Sequence, residues 1–172
     1  MQGKVLVTGA AGFIGSHVVR ELLAAGRVVR ATARKPEDAA FLSELPIGLG
    51  GSLEIVQMEL LDPESVVVAV GGCEEVIHCA AALYVGAKDA QRDVVDPSIG
   101  GTRNLIAAIE AESGVKRIVH TSSVAAIRTT KFRSGYTFSA ADWCDDATLK
   151  SNAYGLAKAG AERLIRDWWG AQ

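Results

Sequence analysis

The sequence has few cysteines and no excess of charge, and both absences exclude classes of protein. The three cysteines, Cys73, Cys79 and Cys144, form no CxxC pair and no even set, so neither a disulfide framework nor a structural zinc site is predicted. We therefore expect no bound metal and a reducing, cytoplasmic location. The 18 basic and 20 acidic residues give a net charge of -2 with no basic cluster, which argues against nucleic acid or an anionic membrane as partner.

The chain also lacks a long apolar run. Its N-terminal apolar residues are interrupted by Gly9, Gly12 and Gly15, and no charged leader precedes them, so we expect neither a targeting segment nor a membrane span. A chain of 172 residues is long enough for one domain that buries roughly two-thirds of its unfolded surface. The sequence therefore predicts a single soluble domain.

What the sequence does have is a glycine-rich turn near its start. A strand over Val5 to Thr8 leads into Gly9, Gly12 and Gly15, and a helical apolar stripe follows until Gly26. In such a turn the first glycine permits a tight bend, the second lets the backbone approach a pyrophosphate, and the third lets helix and strand pack closely. The free N–H groups and the helix dipole then hold the anion. The turn favours a dinucleotide-binding site; the alternative is a loop–helix junction whose glycines are needed only for sharp turns, and the rest of the sequence has to distinguish the two.

The end of the second strand indicates which dinucleotide is bound. An acidic residue there would accept hydrogen bonds from the adenosine ribose, whereas a basic residue would accommodate a 2′-phosphate. After Ala33 the sequence has Arg34 and Lys35, and then the helix start at Pro36. The pattern favours NADP(H) over NAD(H), and the alternative for Arg34 is an ordinary solvated surface arginine.

Strands alternate with helices along the rest of the chain. This order predicts an α/β fold, a doubly wound parallel sheet of Rossmann-like strand order 3-2-1-4-5 in a three-layer α/β/α arrangement. Strands are predicted over residues 5–8, 28–33, 53–58, 75–82 and 115–123, and helices over 13–25, from 36, from 62, over 93–113 and over 152–169. Loops are predicted over 83–90 and 128–151, the second long enough to carry function.

Three internal features carry smaller predictions. Pro97 and the glycines at 100 and 101 interrupt the helical pattern over 93–113, which predicts a kink or a close crossing there. Asn104 lies among apolar residues and is expected to make an internal hydrogen bond. His78 falls within an apolar strand, where a core histidine bonded to a neighbour is favoured over a catalytic or metal-binding one.

The last predicted helix carries a tyrosine and a lysine four residues apart. This spacing stacks Tyr154 over Lys158 on one helical face, and the hydroxyl residues Thr121, Ser122 and Ser123 follow the fifth strand. A tyrosine hydroxyl ionises at about pH 10, and a nearby ammonium favours its anionic form and so suits it to acid–base chemistry. The alternative is that Tyr154 and Lys158 form an ordinary surface pair. The hydroxyl residues after the fifth strand and the glycine turn favour the catalytic interpretation.

These motifs together resemble one superfamily over essentially the whole chain. Thr8–Gly15 (TGAAGFIG) resembles the nucleotide motif of the extended short-chain dehydrogenases/reductases, the NAD-dependent epimerase/dehydratase family. Tyr154 and Lys158 resemble its catalytic pair. The stretches Arg30–Pro36 and Tyr136–Trp143 are similar to those of dihydroflavonol reductases, cinnamoyl-CoA reductases and microbial NADPH-dependent aldehyde reductases.

The resemblance implies an NADP(H)-dependent oxidoreductase that reduces the carbonyl of a small aldehyde, ketone or dihydroflavonol-like substrate. It implies that Ser123 is the third catalytic residue beside Tyr154 and Lys158. The adjacent Ser122 is the alternative for this role. The resemblance also implies that Glu59 meets the adenine amino group, where the family usually has Asp. Together, the glycine turn, the end of the second strand and the resemblance predict a set of cofactor-binding residues. They are Gly9, Gly12, Phe13, Ile14, Gly15, Arg34, Lys35, Glu59, Leu60, Ala80, Ala81, Tyr154 and Lys158.

The sequence departs from the family at its end. Family members continue after the Tyr-x-x-x-Lys helix with further strands and a substrate-binding lobe, whereas this chain stops at Gln172. We expect one dinucleotide-binding domain over 1–172 whose fifth strand lies at an open sheet edge, to be covered by the rest of a longer gene product or by a partner chain, as in a homodimer. Two alternatives remain: a nucleotide-sugar epimerase/dehydratase or hydroxysteroid-type dehydrogenase with the same triad, and a nucleotide-binding sensor or scaffold without turnover.

Overall fold

The structure, a computed structural model, describes residues 3–82, 86–112, 114–131 and 133–171. Five parallel strands form one sheet in the order β3-β2-β1-β4-β5, which confirms the predicted topology. The strands are β1 (Val5–Thr8), β2 (Val28–Ala33), β3 (Ser52–Gln57), β4 (Glu75–His78) and β5 (Arg117–His120). Because all five are parallel, their carboxyl ends share one edge of the sheet, where ligands bind in folds of this kind.

Helices lie between successive strands in the chain, and two further helices follow the last strand. They are α1 (Phe13–Ala24), α2 (Pro63–Val70), α3 (Asp96–Glu112), α4 (Val124–Ile127) and α5 (Leu149–Gly170), with a 3₁₀ helix over Pro36–Glu44 and a π-helical turn over Gln91–Val95. Internal contacts divide the chain into two compact units. The first, Met1–Ala80 with Asn104–Thr121, contains the sheet, and the second, Ala81–Arg103 with Ser122–Gln172, contains α4 and α5.

The core of the first unit follows from strand register. Val5 pairs with Val29 and Val7 with Ala31, so four apolar side chains share one face of the sheet. They cluster with Val19 of α1, and none of the five is more than 1% exposed. Strands covered in this way read as continuous apolar runs, which is why β1 and β2 are visible in the sequence.

Several elements differ in detail from the sequence prediction: β4 ends at His78 rather than at residue 82, and the last helix begins at Leu149 rather than at residue 152. The irregularity expected around Pro97 lies just before it, in the π-helical turn Gln91–Val95, because Pro97 has no N–H to offer the carbonyl four residues earlier. The fifth strand is shorter than predicted, since its pairing with β4 ends where His78 meets His120. Residues 83–85 of the predicted loop 83–90, residue 113 at the end of the predicted helix and residue 132 of the predicted loop 128–151 lie outside the described residues.

Two predicted internal hydrogen bonds are confirmed. The side-chain amide of Asn104 donates to the carbonyl of Leu60 at 2.8 Å. His78 is 2% exposed, and its Nδ1 lies 2.7 Å from the hydroxyl oxygen of Thr8. His78 is therefore a core histidine, as the sequence predicts.

Arg30 of β2 ties the sheet to the end of α2. Its Nη1 donates to the carbonyls of Ala69 and Gly71 at 2.9 and 2.7 Å, and its Nε donates to Glu54 at 2.9 Å. Together with the weaker bond from Lys4, the Arg30 guanidinium lowers the pKa of Glu54. Arg30 thus satisfies carbonyls that a helix leaves without intrahelical partners at its C-terminus.

We expect Arg30→Met to lower the free energy of unfolding by about 2–3 kcal/mol, because it removes charge-assisted hydrogen bonds from partly buried carbonyls. Urea denaturation measures this change. Lys4→Met is the matched control: Lys4 binds the same carboxylate at 3.0 Å but is more exposed, with 29% of its side chain accessible against 11% for Arg30. The control is expected to change stability by less than about 1 kcal/mol. Equal urea midpoints for the two variants would show that the carbonyl contacts contribute nothing.

Candidate functional site

The glycine turn connects β1 to α1 through a left-handed residue. Gly9 has a φ of +66°, a conformation that residues with a Cβ rarely adopt. The N–H of Gly12 donates to the carbonyl of Gly9 at 3.0 Å, and Gly12 is extended and precedes the first helical residue, Phe13. The chain therefore reverses within three residues, directly at the carboxyl end of the central strand.

The three glycines meet different surroundings. A Cβ on Gly15 would lie 2.2 Å from the carbonyl oxygen of Gly9, and a Cβ on Gly9 would lie 2.8 Å from the backbone nitrogen of Ala80. On Gly12 the nearest atom would be the same Gly9 oxygen at 3.2 Å, and Gly12 is exposed. Gly9 and Gly15 are thus required for packing inside the turn, whereas Gly12 leaves the outer surface of the turn open.

The open surface lies at the N-terminus of α1. No side chain caps this helix and its first turn has no acidic residue, so its first N–H groups have no side-chain acceptor. Phe13 and Ile14 are 82% and 53% exposed, which leaves the helix start accessible. A phosphate group is the ligand that uncapped N–H groups and the positive end of a helix dipole bind best. The residues present therefore fit the pyrophosphate of a dinucleotide.

Thr8, the last residue of β1, has a structural role that the sequence analysis did not predict. It is fully buried, its hydroxyl oxygen accepts from the N–H of Ala80 at 3.1 Å, and it contacts His78 as described above. The hydroxyl thereby holds the backbone that follows β4, where Ala80 and Ala81 lie. A polar residue ending an otherwise apolar strand was the available sequence signal.

The remaining predicted cofactor residues of this unit lie at the ends of β2 and β3. Arg34 and Lys35 follow Ala33 directly, and both are exposed. Among the described residues the Arg34 guanidinium has no hydrogen bond or ion pair. Glu59 and Leu60 follow β3; the exposed Glu59 carboxylate makes only a long contact, 3.5 Å, with the N–H of Leu61. These charged groups are thus available at the sheet edge where ligands bind.

In the second unit, Ser123 forms the N-cap of α4. Its hydroxyl oxygen accepts from the N–H of Ala125 at 3.1 Å, and its backbone is extended. A serine hydroxyl has one proton and two lone pairs, so this bond leaves the proton of Ser123 for another acceptor. The sequence predicted a strand through Ser123, whereas the structure makes Ser123 the start of a short helix.

Helix α5 carries the predicted tyrosine and lysine. Asn152 is non-helical (φ −162°, ψ 74°), and its side-chain oxygen accepts from the N–H of Gly155 at 2.8 Å, so the regular helix begins just before Tyr154. Tyr154 is half-buried against the apolar cluster that includes Val94 and Val95. Lys158 is only 4% exposed one turn later. Burial of a lysine side chain is costly, so the buried position of Lys158 sets it apart from an ordinary surface lysine.

Helices α4 and α5 approach closely at a glycine. A Cβ on Gly155 would lie 3.0 Å from the carbonyl oxygen of Ala125 and 2.2 Å from the side-chain nitrogen of Asn152. Gly155 adjoins Tyr154, and Ala125 is two residues after Ser123. This contact holds the helix capped by Ser123 against the helix that carries the tyrosine.

Glu162 of α5 was also missed by the sequence prediction. It is 7% exposed, accepts a short hydrogen bond from the hydroxyl of Ser122, and pairs with Arg166 at 2.6 Å. Glu162 continues the i, i+4 series of Tyr154 and Lys158, so the spacing was the signal available.

Trp143, in the long segment between α4 and α5, packs against arginines of α5. The guanidinium groups of Arg163 and Arg166 lie 4.5 and 5.1 Å from its ring centre, within the range of cation–π interactions. The same segment is fastened by Asp146, whose carboxylate accepts from the N–H and hydroxyl of Thr130 at 2.8 and 2.7 Å. These bonds hold the pKa of Asp146 below its ordinary value. Trp143 therefore packs against α5.

The described residues contain neither a membrane-spanning helix nor a metal-binding cluster. No helix in that part of the chain combines the length and apolar character needed to cross a bilayer. No three or more His, Cys, Asp or Glu side chains lie there in an arrangement suited to a metal ion.

Several reductases are similar to this chain in sequence and in fold. The chain is 34% identical over 174 residues to dihydroflavonol 4-reductase of Hordeum vulgare, covering 97% of this chain and 49% of that protein. It is 40% identical over 168 residues to cinnamoyl-CoA reductase 1 of Oryza sativa subsp. japonica, covering 95% and 48%. The crystal structure of yeast methylglyoxal/isovaleraldehyde reductase Gre2 complexed with NADPH superposes with a TM-score of 0.85 at 27% identity, covering 98% of this chain and 53% of that one.

The similarity has a defined extent. The chain spans about half the length of these relatives. The model of the NAD dependent epimerase/dehydratase family matches residues 5–172. Since that match takes in all of the described strands and helices, the chain belongs to the NAD-dependent epimerase/dehydratase family.

Proposed function

We propose that this chain is the dinucleotide-binding part of an NADP(H)-dependent reductase that acts on the carbonyl of a small aldehyde, ketone or dihydroflavonol-like substrate. The relatives described above are reductases by name, and the Gre2 structure contains NADPH. In this proposal Ser123, Tyr154 and Lys158 act on the substrate. The glycine turn and the ends of β2, β3 and β4 hold the cofactor.

The cofactor residues have separate tasks. The N–H groups at the start of α1, with Phe13 and Ile14, bind the pyrophosphate, and Arg34 with Lys35 binds the 2′-phosphate through charge-assisted hydrogen bonds. Glu59 accepts from the adenine amino group beside Leu60. Ala80 and Ala81 have small side chains that leave room for the ribose and ring. When bound, NADPH supplies the hydride that a carbonyl reduction needs.

The catalytic residues act on the carbonyl oxygen. The hydroxyl of Ser123 donates a hydrogen bond to that oxygen, where negative charge develops. Tyr154 supplies the proton that converts the oxyanion to an alcohol, and the positive charge of Lys158 balances the negative charge left on the Tyr154 oxygen. Ser122 is less suited to the serine role, because its proton is already donated to Glu162.

The observation that carries the proposal is the burial of Lys158 one helical turn from Tyr154. An ordinary surface pair would leave the ammonium in water, whereas this side chain is only 4% exposed. Lysine side chains are almost never fully buried unless they are paired. The capping of α4 by Ser123, against the same helix, supports this reading.

A panel of aldehydes and ketones tests the proposal, with the loss of NADPH absorbance as the readout and calorimetry for NADPH and NADH binding. We expect NADPH to bind and at least one short-chain or aromatic aldehyde to be reduced. Tight binding with no turnover on any substrate would favour a nucleotide-binding scaffold. A preference for NADH would favour an epimerase-type enzyme.

We expect Arg34→Ala to weaken NADPH binding by about 10- to 100-fold and to leave NADH binding nearly unchanged, because one charge-assisted contact to the 2′-phosphate is lost. Calorimetry with both nucleotides measures the two affinities. Lys116→Ala removes the same charge at the opposite end of the sheet, before β5, and is expected to change neither affinity. An equal loss for NADPH and NADH in Arg34→Ala would contradict the 2′-phosphate assignment.

A further inference from the structure

Glu162 stands out because it is a buried carboxylate that the proposed reaction does not use. Among the buried polar residues of the described chain it is the only acidic one, at 7% exposure. It lies on α5 two turns after Tyr154 and one turn after Lys158, on the same helical face. A carboxylate is costly to bury unless both oxygens have strong partners.

Both oxygens of Glu162 have such partners. Oε2 accepts from the hydroxyl of Ser122, and Oε1 pairs with Nη2 of Arg166 at 2.6 Å. Arg166 also lies over the Trp143 ring, so the cation that balances Glu162 is itself held in place. The result is a chain of contacts from Trp143 through Arg166 and Glu162 to the turn that precedes α4.

That turn carries Ser123. Ser122 and Ser123 are consecutive, so an anchor on the Ser122 side chain restricts the backbone to which Ser123 is attached. On its other side Ser123 is restrained by its own N-cap bond to the N–H of Ala125. Because Glu162 belongs to the helix that carries Tyr154 and Lys158, one hydrogen bond connects the serine turn to that helix.

We propose that Glu162 is a positioning residue: by accepting the proton of Ser122 it fixes Ser123 relative to Tyr154 and Lys158, and it leaves Ser123 as the only one of the two serines with a proton for the substrate. The proposal rests on the proposed reductase function. It also assigns Ser122 the task of an anchor. A displacement of a catalytic group by about 1 Å lowers rates by about 100-fold, so such an anchor has a measurable effect.

The test compares Glu162→Gln with Asp167→Asn, a matched change of carboxylate to amide at an exposed position of the same helix. We expect Glu162→Gln to lower kcat by about 10- to 100-fold with KM for NADPH unchanged, and Asp167→Asn to have no effect. Ser122→Ala should lose activity to a similar extent, and Ser122→Thr, which keeps the hydroxyl, should recover it.

A second readout does not depend on turnover. The Ala125 amide donates to Ser123, so its hydrogen exchange, followed by NMR, reports whether the serine turn is held. We expect exchange at Ala125 to be at least about tenfold faster in Glu162→Gln, with the amides of β1 unchanged. If the wild-type chain reduces no substrate while this change is still seen, the reductase function fails and the anchoring of Ser123 stands.

Two results would overturn the proposal. One is unchanged kcat together with unchanged Ala125 exchange in both Glu162→Gln and Ser122→Ala, the second of which removes the hydrogen bond outright. The other is faster exchange throughout the second unit with a large fall in Tm, in both Glu162→Gln and Ser122→Thr, which would show a general role in stability rather than a role in placing Ser123.

Discussion

Tyr154→Phe is expected to lower kcat for carbonyl reduction by about 100- to 10,000-fold, because it removes the group that supplies the proton. The ring itself is retained, so its packing against the cluster of Val94 and Val95 is preserved. We therefore expect the fold and NADPH binding to be largely unchanged. Steady-state assays on the substrate that is reduced fastest measure kcat, and calorimetry measures the NADPH affinity.

Tyr136→Phe is the matched control for this change. Tyr136 is exposed, and its hydroxyl donates to Asp142 in the segment between α4 and α5. This bond raises the pKa of Tyr136 and lowers that of Asp142. Full activity in Tyr136→Phe is expected. Full activity in Tyr154→Phe would mean that the catalytic assignment is wrong.

The sequence predicts the sheet well because the relevant information is local. Apolar runs ending in Gly9 or in the basic pair at Arg34 mark strands that are buried, and the glycine spacing marks the turn. Helix α2, predicted from residue 62, begins with local signals of the same kind: Asp62 accepts from the N–H of Glu64 at 3.2 Å, and Pro63 occupies the first turn. The β-branched residues that follow do not prevent the helix, because its buried face is stabilised by packing.

Several features that depend on distant contacts were not predicted, although the internal hydrogen bonds of Asn104 and His78 were. Thr8 and Glu162 look unremarkable in sequence, since their partners are 72 and 40 residues away. The end of β5 was misplaced for the same reason, because the length of a strand is set by its neighbour in the sheet. Arg30 is another example: only the structure shows that it meets the carbonyl end of α2.

The choice between Ser122 and Ser123 shows where structure adds chemical information. Two adjacent serines after a strand cannot be separated by pattern, because either can begin a helix. The structure gives them different hydrogen-bond states: Ser122 donates to Glu162, whereas Ser123 accepts from Ala125. Ser123 is favoured for the catalytic role because its hydroxyl is not already used as a donor to Glu162, as that of Ser122 is.

Gly15→Ala is expected to have the largest effect on cofactor binding. Its Cβ would lie 2.2 Å from the carbonyl oxygen of Gly9 and 2.9 Å from Cα of Ala10, and both neighbours are backbone atoms that cannot rotate away. The turn must open, which displaces the N–H groups at the start of α1. We expect a loss of NADPH affinity of about 100-fold and a fall in the free energy of unfolding of about 1–3 kcal/mol. Calorimetry and urea denaturation measure the two effects.

The control for this change is Gly170→Ala, which also places alanine in a helix. At Gly170 a Cβ would meet nothing within 4 Å, so only helix propensity acts. That substitution should raise the free energy of unfolding by up to about 1 kcal/mol and leave NADPH affinity unchanged. Helix propensity favours alanine at both positions, so a loss at Gly15 alone isolates the contact with Gly9. If Gly15→Ala binds NADPH as tightly as the unaltered chain does, the glycine turn is not the phosphate site, and the proposed function loses its cofactor.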